Sequence, residues 1–384
     1  MIRGSLQEKN GIYQAVLFID GKYKWKSTGI KAKRGNKRLA EAKLKEFVDA
    51  YDDNPNAFEK TDFIAFSRQW LKNISSDIDA ITLQGYKQHL EKHIIPYFEP
   101  LHLSLQSFTT AHIDNYYRYK TEGGQLDGKE GGLCRASIKR HSVVLNLIFE
   151  EAMRYKLIKE NPCKYAKIPK QNNIPTAKRE FYTVKQCEDL LKVTQNTVLY
   201  DMIYITFMYG LRRSELMGLK WDAVDFVNGT ITIKHTVVIG SSVISKDKTK
   251  NKSSYRTYPL LDDVKEILLR LQKQQQEYKQ LFGNCYHDIG GYVFTKEDGS
   301  AYYPDYPTKR LEAVIKRYDL PHIRWHDLRH SCASMLLTKG WNMKAISEWL
   351  GHADISTTMD IYGHLDLEYK RTLANSLNGL LSNV

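Results

Sequence analysis

The sequence predicts a multidomain chain, mainly α-helical with small antiparallel β-sheets. Three observations carry that expectation. At 384 residues the chain exceeds one typical domain. Between 62 and 160, long stretches place apolar residues at helical spacing. Strand-like alternation is confined to short runs near the N-terminus and around 229–260.

Hydrophobic residues make up 42% of the chain and charged residues 26%, enough apolar material for real cores. No run of about 18 apolar residues exists, so no membrane span or membrane partner is expected. "MIRGSLQEKN" lacks an apolar segment of the secretory kind. Cys134, Cys163, Cys187, Cys285 and Cys332 are scattered, with no C-x-x-C pair. That usage fits reduced thiols in a cytoplasm and neither a disulfide frame nor a zinc site. Lys and Arg total 57 against 44 Asp and Glu, a net charge of +13. A polyanion is the implied partner, with nucleic acid ahead of an anionic membrane.

Residues 1–45 carry 12 Lys/Arg against 3 Asp/Glu, most of that excess. "GIYQAVLFID" and "KYKWKSTGI" read as two strands joined by an Asp20-Gly21 turn. Lys22, Lys24 and Lys26 then share one face, with Tyr23 and Trp25 on the other. A helix from about Asn36 to Tyr51 should turn Ala40, Leu44, Phe47, Val48 and Tyr51 inward. A lysine face is ordinarily just solvated. The local charge favours a sheet that lays its lysine edge on DNA.

"DDNPNAFEKTD" (52–62) breaks periodicity and reads as a linker. Four helical stretches follow in 62–160 and predict a compact helical domain, with the Gly-rich 122–133 as an excursion. "NPCKYAKIPKQNNIPTAKRE" (161–180) reads as an extended basic linker. From Phe181 a mixed domain is expected, with strands in "GTITIKHTVVIG" and "RTYPL" and a long helix after them. The expected domains are therefore 1–55, 62–165 and 178–384.

Several places in this last domain put cations where helices begin. In "WHDLRHSCASMLL" (325–337), Leu328, Cys332, Met335 and Leu336 form a core stripe, and Asp327 is the predicted N-cap. His326 and Arg329 nevertheless crowd the helix start, where partial positive charge already sits. In "YGLRRSELMGLKW" (209–221), Gly210 ends one helix and Arg212 and Arg213 open the next, with Leu216 and Leu219 buried. "SKDKTKNKSSYRTYPL" (245–260) gathers lysines around a turn before a strand. In "LGHADISTTMDIYGHL" (350–365), His352 follows a helix-ending Gly351, and Asp354 caps a helix carrying Ile355, Met359 and Tyr362 on one face. Taken singly, each has an ordinary reading as a surface arginine, a solvated hairpin tip or a core tyrosine.

In order, the chain gives G-L-R-x-x-E-L, K-S-S-x-R before an apolar strand, H-x-L-R-H, L-G-H, and ten residues later Tyr-Gly-His. This set resembles, motif by motif, the active-site signature of the tyrosine recombinases, the phage-integrase family. The resemblance spans about 180–375. The 62–160 region is similar to the family's core-binding domain. The N-terminus looks like the three-stranded arm-binding domain of integrases from temperate phages and conjugative transposons.

The resemblance implies a site-specific recombinase that integrates and excises a mobile element through a 3′-phosphotyrosyl intermediate, without ATP, metal or cofactor. It assigns Arg212, Lys252, His326, Arg329 and His352 to the pocket, Tyr362 as nucleophile and Glu215 as support. Lys250 stays open as an alternative to Lys252, because it lies one pleat earlier on the same face. Tyr369 competes with Tyr362 but lacks the flanking motif. The implied partners are double-stranded attachment sites of core and arm type and a homotetramer in the synaptic complex. A DNA-bending host factor or an excisionase is an optional accessory. Fixed cations of this kind stabilise the charge that builds on the non-bridging oxygens during phosphodiester cleavage.

Alternatives remain at this level. His326 and His330 stand at i, i+4, a spacing that zinc sites use, which would suit a metal-dependent nuclease. A resolvase or type IB topoisomerase would share the chemistry. A DNA-binding regulator without catalysis would use only the N-terminal parts.

Overall fold

A computed structural model describes residues 3–19, 22–53, 60–126, 131–170, 181–239, 243–246, 255–288 and 290–352, with isolated positions at 354–356, 359 and 374. The chain divides into two compact units, Met1–Thr176 and Ala177–Val384. No helix of the described residues is long and apolar enough to cross a membrane.

The first unit begins with an antiparallel sheet of three strands in chain order, β1 (Arg3–Lys9), β2 (Ile12–Ile19) and β3 (Lys22–Lys31). Helix α1 (Lys37–Asp53) follows, within two residues of the expected bounds. Leu17 and Ile19 are buried against Leu44, Phe47 and Val48 of this helix. A Cβ at Gly4 would lie 2.9 Å from both Leu17 and Leu44, so the glycine lets helix and sheet approach closely.

The pairing fixes which face of β3 the helix covers. Lys26 opposes Ala15, Lys24 opposes Leu17 and Lys22 opposes Ile19. Opposed residues share a face, so the three lysines stand on the side that α1 covers. The Lys26 ammonium lies 4.3 Å from the centre of the Phe47 ring. Burial, and then Lys43, hold its pKa below the ordinary lysine value. The open face instead shows Phe18, Tyr23 and Trp25, exposed by 46%, 70% and 51%. The alternation is as expected; the uncovered side is the aromatic one. The Asp20-Gly21 turn and the Tyr51 side chain lie outside the described residues.

A separate core holds the helices α2 (Phe63–Asn73), α3 (Ala80–His89), α4 (Ile95–Phe98), α5 (Thr110–Glu122) and α6 (Arg135–Arg154). The expected continuous helix through 82–98 is interrupted by a π-helical turn, Leu90–Ile94. Phe63 sits at the centre, its ring 5.5, 4.6 and 5.6 Å from those of Phe98, Phe108 and Phe149.

Three histidines meet in this core, with the His141 ring 5.0 Å from His89 and 4.6 Å from His93. The His141 Nδ1 pairs with the Tyr116 hydroxyl at 3.0 Å. Burial, followed by His93, His89 and Lys120, pushes His141 down to about 3. Burial, followed by Lys120 and His89, pushes His93 down to about 4. A depressed histidine pKa means that the unfolded chain takes up protons first as pH falls through 6.5. Stability is then full above that pH and drains away toward 3. At pH 4, His141 alone costs about 3 kcal/mol of stability. The expected outcome is that His141→Gln loses less stability between pH 6.5 and pH 4 than the unmodified protein, read from urea unfolding. Equal losses would rule this account out.

The second unit opens with α7 (Val184–Thr194), α8 (Val198–Tyr209) and the short α9 (Arg213–Met217). Strands β4 (Val224–Asp225), β5 (Thr230–Ile233) and β8 (Arg256–Pro259) form one antiparallel sheet, while β6 (Thr236–Ile239) and β7 (Val243–Lys246) form another. The run expected as one strand over 229–240 is thus split between two sheets. The break falls at Lys234 and His235, where the His235 ring bonds Asp222 at 3.1 Å. A Cβ on Gly218 would sit 2.7 Å from the Thr236 Cα, so the chain turns against that glycine. Then come α10 (Asp262–Phe282), α11 (Tyr306–Arg317), α12 (Trp325–Thr338) and α13 (Met343–Leu350).

Candidate active site

Five of the sequence-predicted groups, Arg212, Glu215, His326, Arg329 and His352, fall in described residues, and two glycine-ended helices bring their segments together. Helix α8 ends at Gly210 and α13 at Gly351, both left-handed, at φ 61° and 66°. A Cβ at Gly210 would lie 2.3 Å from Leu350 Cδ2, so α8 and α13 meet at this point. Arg329 Nη1 donates to the Gly210 carbonyl at 2.7 Å. Arg212 Nη2 donates to the Gly351 carbonyl at 3.2 Å. Carbonyls at helix C-termini carry partial negative charge and suit guanidinium groups.

Arg212 is the N-cap of α9, and its backbone N–H donates to Glu215 Oε2 at 2.9 Å. Its Nη1 donates to Glu215 Oε1 at 2.6 Å. Arg256 of β8 approaches the same carboxylate from the other side, with Nη1 at 3.2 Å from Oε1 and Nη2 at 2.8 Å from Oε2. Glu215 is only 2% exposed. Burial works to raise its pKa, but the Arg256 hydrogen bonds and the charges of Arg256, Arg212 and Arg329 prevail and bring it down to about 2. One carboxylate therefore stands among three guanidinium groups.

Arg329, on α12, is 1% exposed, and its Nη2 has no hydrogen-bond partner among the described residues. Burial and then Arg212 push its pKa down to about 9, so it stays charged at neutral pH. A buried guanidinium N–H without an acceptor costs free energy that an incoming oxyanion would recover. His352, placed just after Gly351, is half-buried. Burial, then Arg329 and Arg212, push its imidazole down to about 3, so it is neutral near pH 7. The His326 ring keeps an exposed edge and lies 5.1 Å from His330, edge to face. Its pKa is also lowered, by desolvation and then Arg329. The pocket thus carries positive charge in excess and two neutral imidazoles.

One local expectation is corrected. The N-cap of α12 is Arg324, and Asp327 sits at the third helical position, accepting the Arg324 backbone N–H at 3.0 Å. The carboxylate still serves the helix start, from one turn inside it. Leu328 and Cys332 are fully buried, while Met335 and Leu336 are partly so. Asp354 accepts the Ser356 N–H at 2.9 Å, as a capping residue does. Ile355 and Met359 are exposed by 37% and 53%. Lys250, Lys252, Tyr362 and Tyr369 lie outside the described residues.

Arg256 and Tyr258 are site residues that the sequence reading missed. The K-S-S-x-R pattern contains Arg256, but only the pairing of β8 with β5 brings it against Glu215. Among the described residues, no three His, Cys, Asp or Glu side chains converge to hold a metal ion.

Residues 180–368 match the phage integrase family, and residues 63–120 match the phage integrase N-terminal SAM-like domain. The ICEBs1 integrase of Bacillus subtilis (strain 168) is 28% identical over 303 residues, covering 78% of this chain and 77% of that protein. Among solved structures, the Tn1549 transposon integrase bound to transposon right-end DNA superposes with a TM-score of 0.64 at 20% identity. That match covers 82% of this chain and 100% of the other. A λ integrase tetramer on a Holliday junction gives a TM-score of 0.59 at 18% identity, covering 93% of this chain and 95% of the other. The architecture is that of the tyrosine recombinases, and the chain belongs to the phage integrase family. It is a site-specific recombinase, an enzyme.

Proposed function

We propose that the protein integrates and excises a mobile element by cutting and rejoining duplex DNA at attachment sites, as a tetramer, in the cytoplasm. The observation that carries this reading is the convergence of Arg212 and Arg329 at one buried carboxylate with His352 close to both arginines, and an Arg329 N–H lacking an acceptor among the described residues. The anion that such a pocket accepts is the scissile phosphate.

In the proposed reaction, the Tyr362 oxygen attacks phosphorus while the bond to the 5′-oxygen breaks. Arg212 and Arg329 hold the non-bridging oxygens as charge builds on them. Neutral His352 donates a ring N–H to the same oxygens, and His326 takes the tyrosine proton. Lys252 protonates the leaving 5′-oxygen. The 3′-phosphotyrosyl bond conserves the energy of the phosphodiester, so the free 5′-hydroxyl of a partner strand rejoins it without ATP.

Three modules divide the work in this reading: 1–55 for arm sites, 62–165 for the core site and 178–384 for catalysis. Support comes from the two separate hydrophobic cores of the first unit. The open sheet face with Phe18, Tyr23 and Trp25 has the shape of a β-sheet that enters a groove. Lys22 and Lys26 stay exposed on the side that α1 covers, and in this reading they and Lys24 serve flanking phosphates.

One assay tests the whole reading. Duplexes from the junctions of the element that carries the gene are incubated with protein in EDTA and without ATP. Recombinant strands are expected. Tyr23→Ala with Trp25→Ala should keep cleavage of a short core duplex and lose recombination about a hundredfold, because truncating large aromatic anchors of a binding surface costs about 2 kcal/mol or more. An absolute need for a divalent ion, or undiminished recombination by the aromatic variant, would contradict it.

A further inference from the structure

Arg256 heads β8, the strand that leaves the segment bearing Lys250 and Lys252. Its side chain is 8% exposed, and its two terminal nitrogens bind both oxygens of Glu215. Its Nε donates to the hydroxyl of Tyr258, two residues along the same strand. That hydroxyl in turn donates to the Trp349 carbonyl, in the last turn of α13. The Tyr258 ring packs between Tyr209 and Trp349, with centroids 5.1 and 4.7 Å away. Trp349 is anchored from the other side, its Nε1 donating to the Met208 carbonyl at 3.3 Å.

Two side chains of one short strand therefore touch the carboxylate that holds Arg212 and the helix that ends just before His352. We infer that Arg256 and Tyr258 are a positioning pair, which ties β8, the strand that follows the proposed proton donor in sequence, to the carboxylate that holds Arg212 and to the end of α13 before His352. This rests on the roles proposed above for those residues. Glu215 needs a fork on each side, because Arg212 uses only one of its terminal nitrogens there and gives the other to Gly351. A lysine at 256 would supply the charge but reach one oxygen at a time and leave Tyr258 without its Nε donor. Strand β8 would then lose its tie to α9 at a point four residues along the chain from Lys252, the proposed proton donor.

The test uses Arg256→Lys and Tyr258→Phe in the full chain, at saturating DNA. Single-turnover cleavage is measured on a nicked suicide duplex and on the same duplex with sulfur as the 5′-bridging atom. Such a leaving group needs no proton. Tyr258→Phe should bind DNA as the unmodified protein does and cleave about tenfold more slowly. Arg256→Lys should cleave about a hundredfold more slowly, with at least tenfold of the deficit recovered on the sulfur substrate. Should Arg256→Lys fail to fold, Tyr258→Phe decides the matter. The pair is excluded if Tyr258→Phe cleaves at the unmodified rate, if binding falls in step with cleavage, or if both substrates show the same deficit. No covalent product from the unmodified protein would instead overturn the proposed function.

Discussion

Replacing Arg329 by lysine is expected to slow strand cleavage about a thousandfold while changing DNA affinity only a few fold. The guanidinium has two tasks in opposite directions. Nη1 is committed to the Gly210 carbonyl, and Nη2 has no acceptor among the described residues. A single ammonium cannot do both. The environment is also hostile to charge, since it draws the arginine down to about 9. The same burial and the same neighbouring arginine would hold a lysine below its ordinary pKa. The variant should therefore lose further activity as pH rises, a trend absent from the unmodified protein, whose Arg329 stays charged until about 9. Single-turnover cleavage at several pH values checks both statements. A variant within tenfold of the unmodified rate at every pH would show that Arg329 does not hold the reacting phosphate.

What the sequence made legible was local. Gly210 and Gly351 are helix stops that any reader of glycine punctuation finds, and each is followed by the residue the site needs. Arg212, Arg329 and His352 were found because their motifs lie within a few residues of those stops or of a helix start. What the sequence hid depends on contacts between distant segments. Asp327 was read as an N-cap because a carboxylate serves the helix start from either position, and only the path of Arg324 distinguishes them. In 229–240 the alternation fades at Lys234-His235-Thr236 with no glycine or proline to mark a turn, and nothing there announces that the chain turns against Gly218. The alternation of Lys22, Lys24 and Lys26 with Tyr23 and Trp25 was plain. Which side α1 covers followed from the register with Leu17 and Ile19, and that is a tertiary fact. Arg256 gave no sign of its role, because its partner Glu215 lies 41 residues away.

The central claim is that a tyrosine at position 362 becomes linked to DNA. It rests on the Tyr-Gly-His motif ten residues after His352 and on the proposal that Arg212, Arg329 and His352 accept the scissile phosphate. Tyr362→Phe removes one oxygen and leaves the basic surfaces unchanged, so DNA binding should persist while cleavage stops. Arginine stays protonated and does not replace a lost nucleophile, and an adduct on either histidine would map to a different peptide. The direct measurement is a nicked suicide duplex, incubated with each protein, denatured, digested and mapped by mass spectrometry. The unmodified protein should yield one nucleotide-bearing peptide, modified at Tyr362, and Tyr362→Phe should yield none. A persistent adduct in the variant, or a modified peptide centred on Tyr369, would contradict the account.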